Sequence, residues 1–170
     1  MACTNVSGIG ANNKVFYKPL HPDMISNFEE DDLLPGTDVW FIGYPDNRFD
    51  VAHNLPILRK GYIASIPKVD FNNKRQFIID AQVFPGSSGS PVFNIIDRNY
   101  KLIGVVSETM LKNEQLQIVP TNIGLGVNQI IGLGIVIKST VVKELVDHTI
   151  NEIKLLFEKE KNKQVIESSK

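Results

Sequence analysis

Cysteine is nearly absent from this chain, which contains only Cys3 among its 170 residues. An internal disulfide is therefore excluded, and a disulfide-stabilised secreted scaffold is not expected. Histidine is also scarce, and the three histidines show no metal-ligand spacing with one another or with the cysteine. No metal and no other cofactor is therefore expected.

The chain also lacks long apolar runs and a charge excess of either sign. No stretch approaches the ~20 apolar residues that cross a bilayer, and the N-terminus shows no signal-peptide pattern. These absences predict a cytoplasmic protein that is not inserted in a membrane. The net charge is −1 and the isoelectric point is about 6.3, which argues against a nucleic-acid partner.

Most of the chain has the pattern of short β-strands. β-Branched and aromatic runs alternate with turn residues from residue 37 onward. Residues 1–36 are weakly patterned, and the acidic run at 29–32 is predicted to be a solvated loop. Strands are predicted at residues 38–44, 57–66, 75–83, 90–96, 101–107 and 131–137.

The periodicity changes after residue 138. Ser139 is a candidate N-cap, and apolar residues then recur at helical spacing. The sequence therefore predicts an all-β fold, a closed antiparallel barrel of six strands followed by a C-terminal amphipathic helix. The predicted domain organisation is an N-terminal segment at 1–36, the barrel and helix at 37–157, and a charged tail at 158–170.

One short motif indicates chemistry. Residues 85–91 read PGSSGSP and lie between two apolar runs. Glycines on such a turn allow positive φ values and close backbone approach. A serine held there, Ser88, has the setting of a nucleophile beside an oxyanion hole. The alternative is a Gly/Ser corner in a non-enzymatic β-barrel.

The motif resembles the Gly-Asp-Ser-Gly-Gly-Pro signature of trypsin-like serine peptidases, and is closest to their bacterial HtrA-type branch. Further strings resemble that family in the same order. They are FIGYP at 41–45, DAQ at 80–82, LIGVVS at 102–107 and GLGIVI at 132–137. The resemblance covers residues 35–155 and corresponds to the second barrel of the family's double-barrel fold.

The resemblance implies a set of site residues. Ser88 would be the nucleophile, and the backbone N–H groups of Gly86 and Ser88 would form the oxyanion hole. A neutral substrate pocket would have walls from Gln82, Phe84, Ser107, Glu108 and Thr109. Ser87 replaces the family's aspartate, so activation by a freed N-terminus is not expected.

The chain departs from the family upstream of the barrel. The family places its catalytic histidine and aspartate on a first barrel, but only 38 residues precede Val39 here. His21 and His148 are interpreted as loop and surface residues, and His53 as a turn residue. Asp80 is expected to make structural hydrogen bonds rather than to act as the triad acid.

Two functions therefore remain open. The first is a serine endopeptidase acting on a peptide or protein substrate, whose base comes from a missing first barrel or a partner chain. Such a chain is expected to be nearly inactive alone, because serine without a base is a weak nucleophile. The second is a non-catalytic interaction module that binds peptides by strand addition beside residues 104–109.

Overall fold

The computed structural model describes residues 19–96, 98–118 and 123–168; for 113–118, 123–128 and 162–168 it describes the backbone alone. Three short 3-10 turns lie at Pro22–Met24, Pro45–Asn47 and Phe71–Asn73. The strands are β1 Asp38–Gly43, β2 Ile57–Ile63, β3 Gln76–Asp80, β4 Pro91–Ile96, β5 Asn99–Ile118 and β6 Ile123–Lys138, and one helix follows, α1 Ser139–Ser168.

The strands close into a single antiparallel barrel with the order β1-β2-β3-β6-β5-β4. Closure occurs where Trp40 and Phe41 of β1 pair with Phe93 and Val92 of β4. Closure gives each of the six strands two neighbours, so no strand is a free edge along its whole length. The predicted fold class, a six-stranded antiparallel barrel with a C-terminal helix, is confirmed.

The last two strands are much longer than predicted. Their pairing continues from the barrel as far as Ile118 and Ile123, whereas β3 pairs only with residues 133–137 of β6. The remaining pairs therefore form a two-stranded arm beyond the barrel. Residues 108–117 are mostly polar, so local hydrophobicity did not signal a strand. The predicted turn at 120–122 lies outside the described residues.

Alternation along the strands builds the core. In β1, Val39, Phe41 and Gly43 are buried while Ile42 between them is exposed. β4 repeats the pattern, with Val92 and Ile96 buried. Strand side chains point alternately to the two faces, so one face of each strand fills the barrel. The largest fully buried apolar side chains are Phe41, Phe77, Leu33, Ile63, Ile79, Ile103, Val39, Val83, Val92, Val106 and Val136.

The segment before β1 is part of this core. Phe28 and Leu33 are buried, and the Phe28 ring packs edge-on against Phe77 at a centroid distance of 6.0 Å. The Ser26 N–H donates to the carbonyl of Leu102 at 2.9 Å. The acidic run largely faces solvent, as predicted; Glu30 is half-buried and accepts a 2.7 Å hydrogen bond from Ser26.

Helix α1 differs from the sequence prediction at both ends. It begins at Ser139 itself, whose hydroxyl donates to the Ser26 carbonyl at 2.7 Å. The predicted N-cap role of Ser139 is therefore wrong, because its side chain ties the helix to the N-terminal segment. The helix continues to Ser168, through most of the predicted tail. Within the described ranges, α1 is too polar to serve as a membrane span, and no other helix could.

Candidate active site

The segment that carries Ser88 crosses one end of the barrel. It joins β3 to β4, and these strands are not neighbours in the ring. Residues 81–90 must therefore pass over the barrel opening. The 44–56 loop lies at the same end, since Asp46 N–H donates to the Pro85 carbonyl at 2.7 Å.

A double turn exposes Ser88 and buries its neighbour. Ser87 N–H donates to the Phe84 carbonyl, and Ser90 N–H donates to the Ser87 carbonyl, both at 3.0 Å. Ser87 and Ser90 are buried, whereas Ser88 is exposed. The hydroxyl of Ser88 is thus presented at the surface of the barrel opening.

Gly86 is required by the geometry of this turn. Its φ is +85°, a value that side-chain-bearing residues rarely adopt. A Cβ at this position would lie 2.8 Å from the Tyr44 carbonyl oxygen. The absence of a side chain therefore lets the turn pack closely against the start of the 44–56 loop.

Two backbone donors on this turn are unused. Within the described residues, neither Gly86 N–H nor Ser88 N–H donates a hydrogen bond, whereas those of Ser87 and Gly89 do. The free donors lie on Ser88 and on the residue two positions before it. Unused backbone donors beside a nucleophile are the components of an oxyanion hole.

The Ser88 side chain contacts strand β5. Its Oγ donates to the Ser107 carbonyl oxygen at 2.8 Å. The Gly89 N–H also reaches β5, donating to the Val106 carbonyl at 2.8 Å. The turn is therefore fixed against the strand just before the arm begins.

An open cavity of about 570 Å³ adjoins Ser88. Its lining is largely apolar, and it shares Leu20, Ile42 and Phe93 with a neighbouring groove of about 270 Å³. That groove is also bordered by Trp40, Leu58 and Tyr100. Ser88 thus lies at the end of a continuous apolar surface.

The expected pocket walls lie on two sides of the 82–84 segment. Gln82 and Phe84 line a cavity of about 340 Å³ on the side of β2. Ser107 and Thr109 are half-buried on β5, Glu108 is exposed, and Thr109 Oγ1 donates to the Val83 carbonyl at 2.8 Å. The Val83 side chain is buried against Gly134, so it fills space between the two groups of residues.

Arg59 is a site residue that the sequence reasoning missed. Its guanidinium donates to the Gln82 carbonyl and to Ser87 Oγ, each at 2.6 Å. Arg59 lies in β2 two positions from buried Gly61 and four from buried Ile63. The two-residue period of a strand puts all three residues on one face. This alternation is the sequence pattern that indicates an inward-facing Arg59.

Comparison with known proteins agrees with this geometry. The trypsin-like peptidase domain family matches residues 17–105, more than half of the 170 residues. The chain belongs to this family. No curated protein and no solved structure matches the chain significantly. The Ser88 turn lies within the part of the chain that matches the trypsin-like peptidase domain.

None of the three histidines, all of which the structure describes, hydrogen-bonds to Ser88. Within the described residues, the Ser88 hydroxyl makes no hydrogen bond to an imidazole. His21 pairs with Asp23 and His53 with Asp50, and both imidazoles are 72% exposed. The hydrogen bond from His53 lowers the pKa of Asp50. His148 is exposed on α1.

Asp80 does not make the hydrogen bonds expected of it. It ends β3 with its side chain exposed, and that side chain has no hydrogen-bond partner in the described part of the chain. Its contacts are the strand pairs with Tyr62 and Leu133. The expectation of a structural side-chain role is wrong, because the carboxylate points to solvent.

Proposed function

We propose that this chain carries the nucleophile half of a serine endopeptidase site. The main support for this proposal is the exposed Ser88 hydroxyl, which lies on a turn whose Gly86 and Ser88 N–H groups are free to donate. Family membership supports the same reaction class. The chain would represent the second barrel of the double-barrel fold. The HtrA-type branch is favoured by Ser87, which occupies the position of the aspartate in the trypsin signature.

The proposed chemistry is acyl transfer to Ser88. A base removes the hydroxyl proton, Oγ attacks the scissile carbonyl, and the tetrahedral oxyanion accepts hydrogen bonds from Gly86 and Ser88 N–H. The amine leaves after taking a proton from the conjugate acid of that base. Water then hydrolyses the acyl-enzyme, which restores the serine.

The substrate is a peptide or protein segment that lies in an extended conformation beside β5. β4 pairs with β5 only as far as Val105. Backbone bonds to Gly89 and Ser90 continue that edge through Val106. From Ser107 onward no described residue pairs with the edge next to Ser88, so another strand could add there. Strand addition there would bring a peptide bond to the nucleophile.

The base would come from the family's first barrel, either upstream of this barrel or on a partner chain. The apolar surface beside Ser88 supports such a partner. Leu58 and Tyr100, which border the groove next to the Ser88 cavity, are 58% and 57% exposed. Adjoining apolar exposure of this kind commonly marks a protein contact. A barrel docked there would reach Ser88 through the shared lining at Ile42 and Phe93.

A non-catalytic peptide-binding module is the second candidate. One observation favours it: the Ser88 hydroxyl donates to a backbone carbonyl, which cannot act as a base at neutral pH. The open edge of β5 would still bind an extended peptide. Catalysis and peptide binding therefore make different predictions for Ser88→Ala, which removes the nucleophile but keeps the strand edge.

The deciding experiment is intact-mass analysis after treatment with a fluorophosphonate. We expect slow, single-site labelling that Ser88→Ala abolishes. Ser65→Ala is the matched control, because Ser65 lies in the 64–75 loop, where its hydroxyl accepts from Ile78 N–H. Labelling that Ser88→Ala leaves in place, or no labelling over a long incubation even with imidazole added as an external base, would reject the peptidase proposal. Unchanged peptide affinity of Ser88→Ala would then support the binding module.

A further inference from the structure

The guanidinium of Arg59 lies under the turn that carries the nucleophile. One terminal nitrogen donates to the Gln82 carbonyl at 2.6 Å, and the other donates to Ser87 Oγ at 2.6 Å. The same group stacks over the Phe41 ring, with Cζ 4.4 Å from the ring centroid. A single side chain from β2 thus holds two points of the segment between β3 and β4.

Burial of the Arg59 guanidinium costs free energy, and stabilisation of the fold alone does not explain why a charged side chain is placed there. Arg59 Nε is buried and has no hydrogen-bond partner in the described residues. Burial also lowers the pKa of Arg59, because the charged form loses hydration. Arg59 is half-buried, so its charge loses part of its hydration, and it forms no ion pair with an anion in the described residues. Retention of a charge at this cost is common at functional sites.

The anchored residue lies between the two free backbone donors. Ser87 is fully buried, and its neighbours Gly86 and Ser88 carry the N–H groups proposed to bind the oxyanion. The orientation of both peptide units depends on where Ser87 is held. In the trypsin-type signature this position is an aspartate. Here it is Ser87, whose hydroxyl oxygen accepts a hydrogen bond from Arg59 of β2.

We propose that Arg59 is a positioning residue that sets the oxyanion-hole geometry by fixing Ser87 and the Gln82 carbonyl. This inference rests on the proposed serine peptidase function. The planar guanidinium offers two donors in a fixed fork, which a lysine ammonium cannot reproduce. Arg59→Lys should therefore fail to replace it, although the charge is kept.

The test compares Arg59→Lys, Arg59→Met, Ser87→Ala and the Arg59→Met/Ser87→Ala double variant with the unchanged chain. Lys60→Met is the matched control, because Lys60 is the next cation on β2 but pairs with Asp38 at 2.7 Å. Amide hydrogen exchange at Ser87 and Ser90 reports the turn, and exchange at Phe77 and Ile79 reports the barrel. Fluorophosphonate labelling of Ser88, measured well below the unfolding temperature, reports reactivity.

In Arg59→Lys, Arg59→Met and Ser87→Ala we expect amide hydrogen exchange in the turn to accelerate about tenfold. Amide exchange in the barrel should be unchanged. Labelling should slow by about tenfold, less than the loss of an oxyanion donor itself. The double variant should be no worse than Arg59→Met, because Arg59→Met already removes the contact with Ser87 that Ser87→Ala removes. Lys60→Met should behave like the unchanged chain.

Two results would overturn the inference. The first is uniform acceleration of exchange across turn and barrel, which would assign Arg59 to general stability. The second is turn opening without any change in a measurable labelling rate. If the unchanged chain does not label even with added imidazole, the peptidase proposal fails, and local turn opening in the Arg59 variants still establishes that Arg59 holds the turn.

Discussion

The Ser88 hydroxyl donates its hydrogen bond to the Ser107 carbonyl, with 2.8 Å between the two oxygens. A peptide carbonyl holds the proton in place but does not accept it as a base. The same carbonyl lies at the start of the open edge of β5, where an extended peptide would bind. Activation of Ser88 in the proposed reaction would therefore require a base from outside the described residues.

Added imidazole should accelerate labelling of Ser88. The cavity beside Ser88 is open and about 570 Å³, so a small base can enter it. Positioned general bases contribute about 10²–10⁴-fold, and a free one should give less, about tenfold. The rate should be measured against imidazole concentration at several pH values, and should follow the neutral form of imidazole. A rate independent of imidazole would contradict the open-site interpretation, and Ser88→Ala is the blank.

Replacing Gly86 by alanine should be more harmful than replacing Gly89. Both residues have positive φ, +85° and +89°. A Cβ on Gly86 would meet the Tyr44 carbonyl at 2.8 Å, whereas a Cβ on Gly89 would meet nothing within 4 Å. We expect Gly89→Ala to lose about 1–2 kcal/mol of unfolding free energy from backbone strain alone. Gly86→Ala should lose about 1–3 kcal/mol more. Urea unfolding of both variants measures the difference; equal losses would show that the turn relaxes away from Tyr44.

The turn and barrel were predictable because their signals are local. PGSSGSP combines turn residues with a flanking apolar alternation, and the six strand positions follow from that alternation. The arm was missed because register pairing with β6, rather than its own hydrophobicity, makes residues 108–118 a strand. Arg59 was missed because its role depends on Ser87, 28 residues later, which only the folded chain brings into contact.

The contact between Val83 and Gly134 predicts a pair of compensating substitutions. A Cβ on Gly134 would lie 2.5 Å from Val83 Cγ2, so Gly134→Ala should cost about 1–3 kcal/mol through overpacking. Val83→Ala removes the obstructing methyl groups. In that background the cost of Gly134→Ala should fall by about 1 kcal/mol. A double-mutant cycle in urea measures the coupling, and strict additivity would mean that Val83 does not fill this space.

The ion pair between Arg75 and Glu144 should contribute to stability at neutral pH but not in acid. The two side chains are 2.5 Å apart and connect the start of the β3 region to α1. The hydrogen bond from Arg75 lowers the pKa of Glu144, and the same contact raises the pKa of Arg75, which stays charged throughout. A carboxylate with a lowered folded-state pKa stabilises the fold above its ordinary pKa. That contribution disappears as the pH falls below about 4.

Glu144→Gln should therefore lower the urea midpoint at pH 7 and leave it unchanged at pH 3. Because both groups are exposed, the difference at pH 7 should be small and should shrink in 1 M salt, where the Debye length is about 3 Å. Glu152→Gln on the same helix is the control, since Glu152 makes no ion pair within the described residues. A Glu144→Gln effect that persists at pH 3 would point to lost helix packing instead of a lost charge pair.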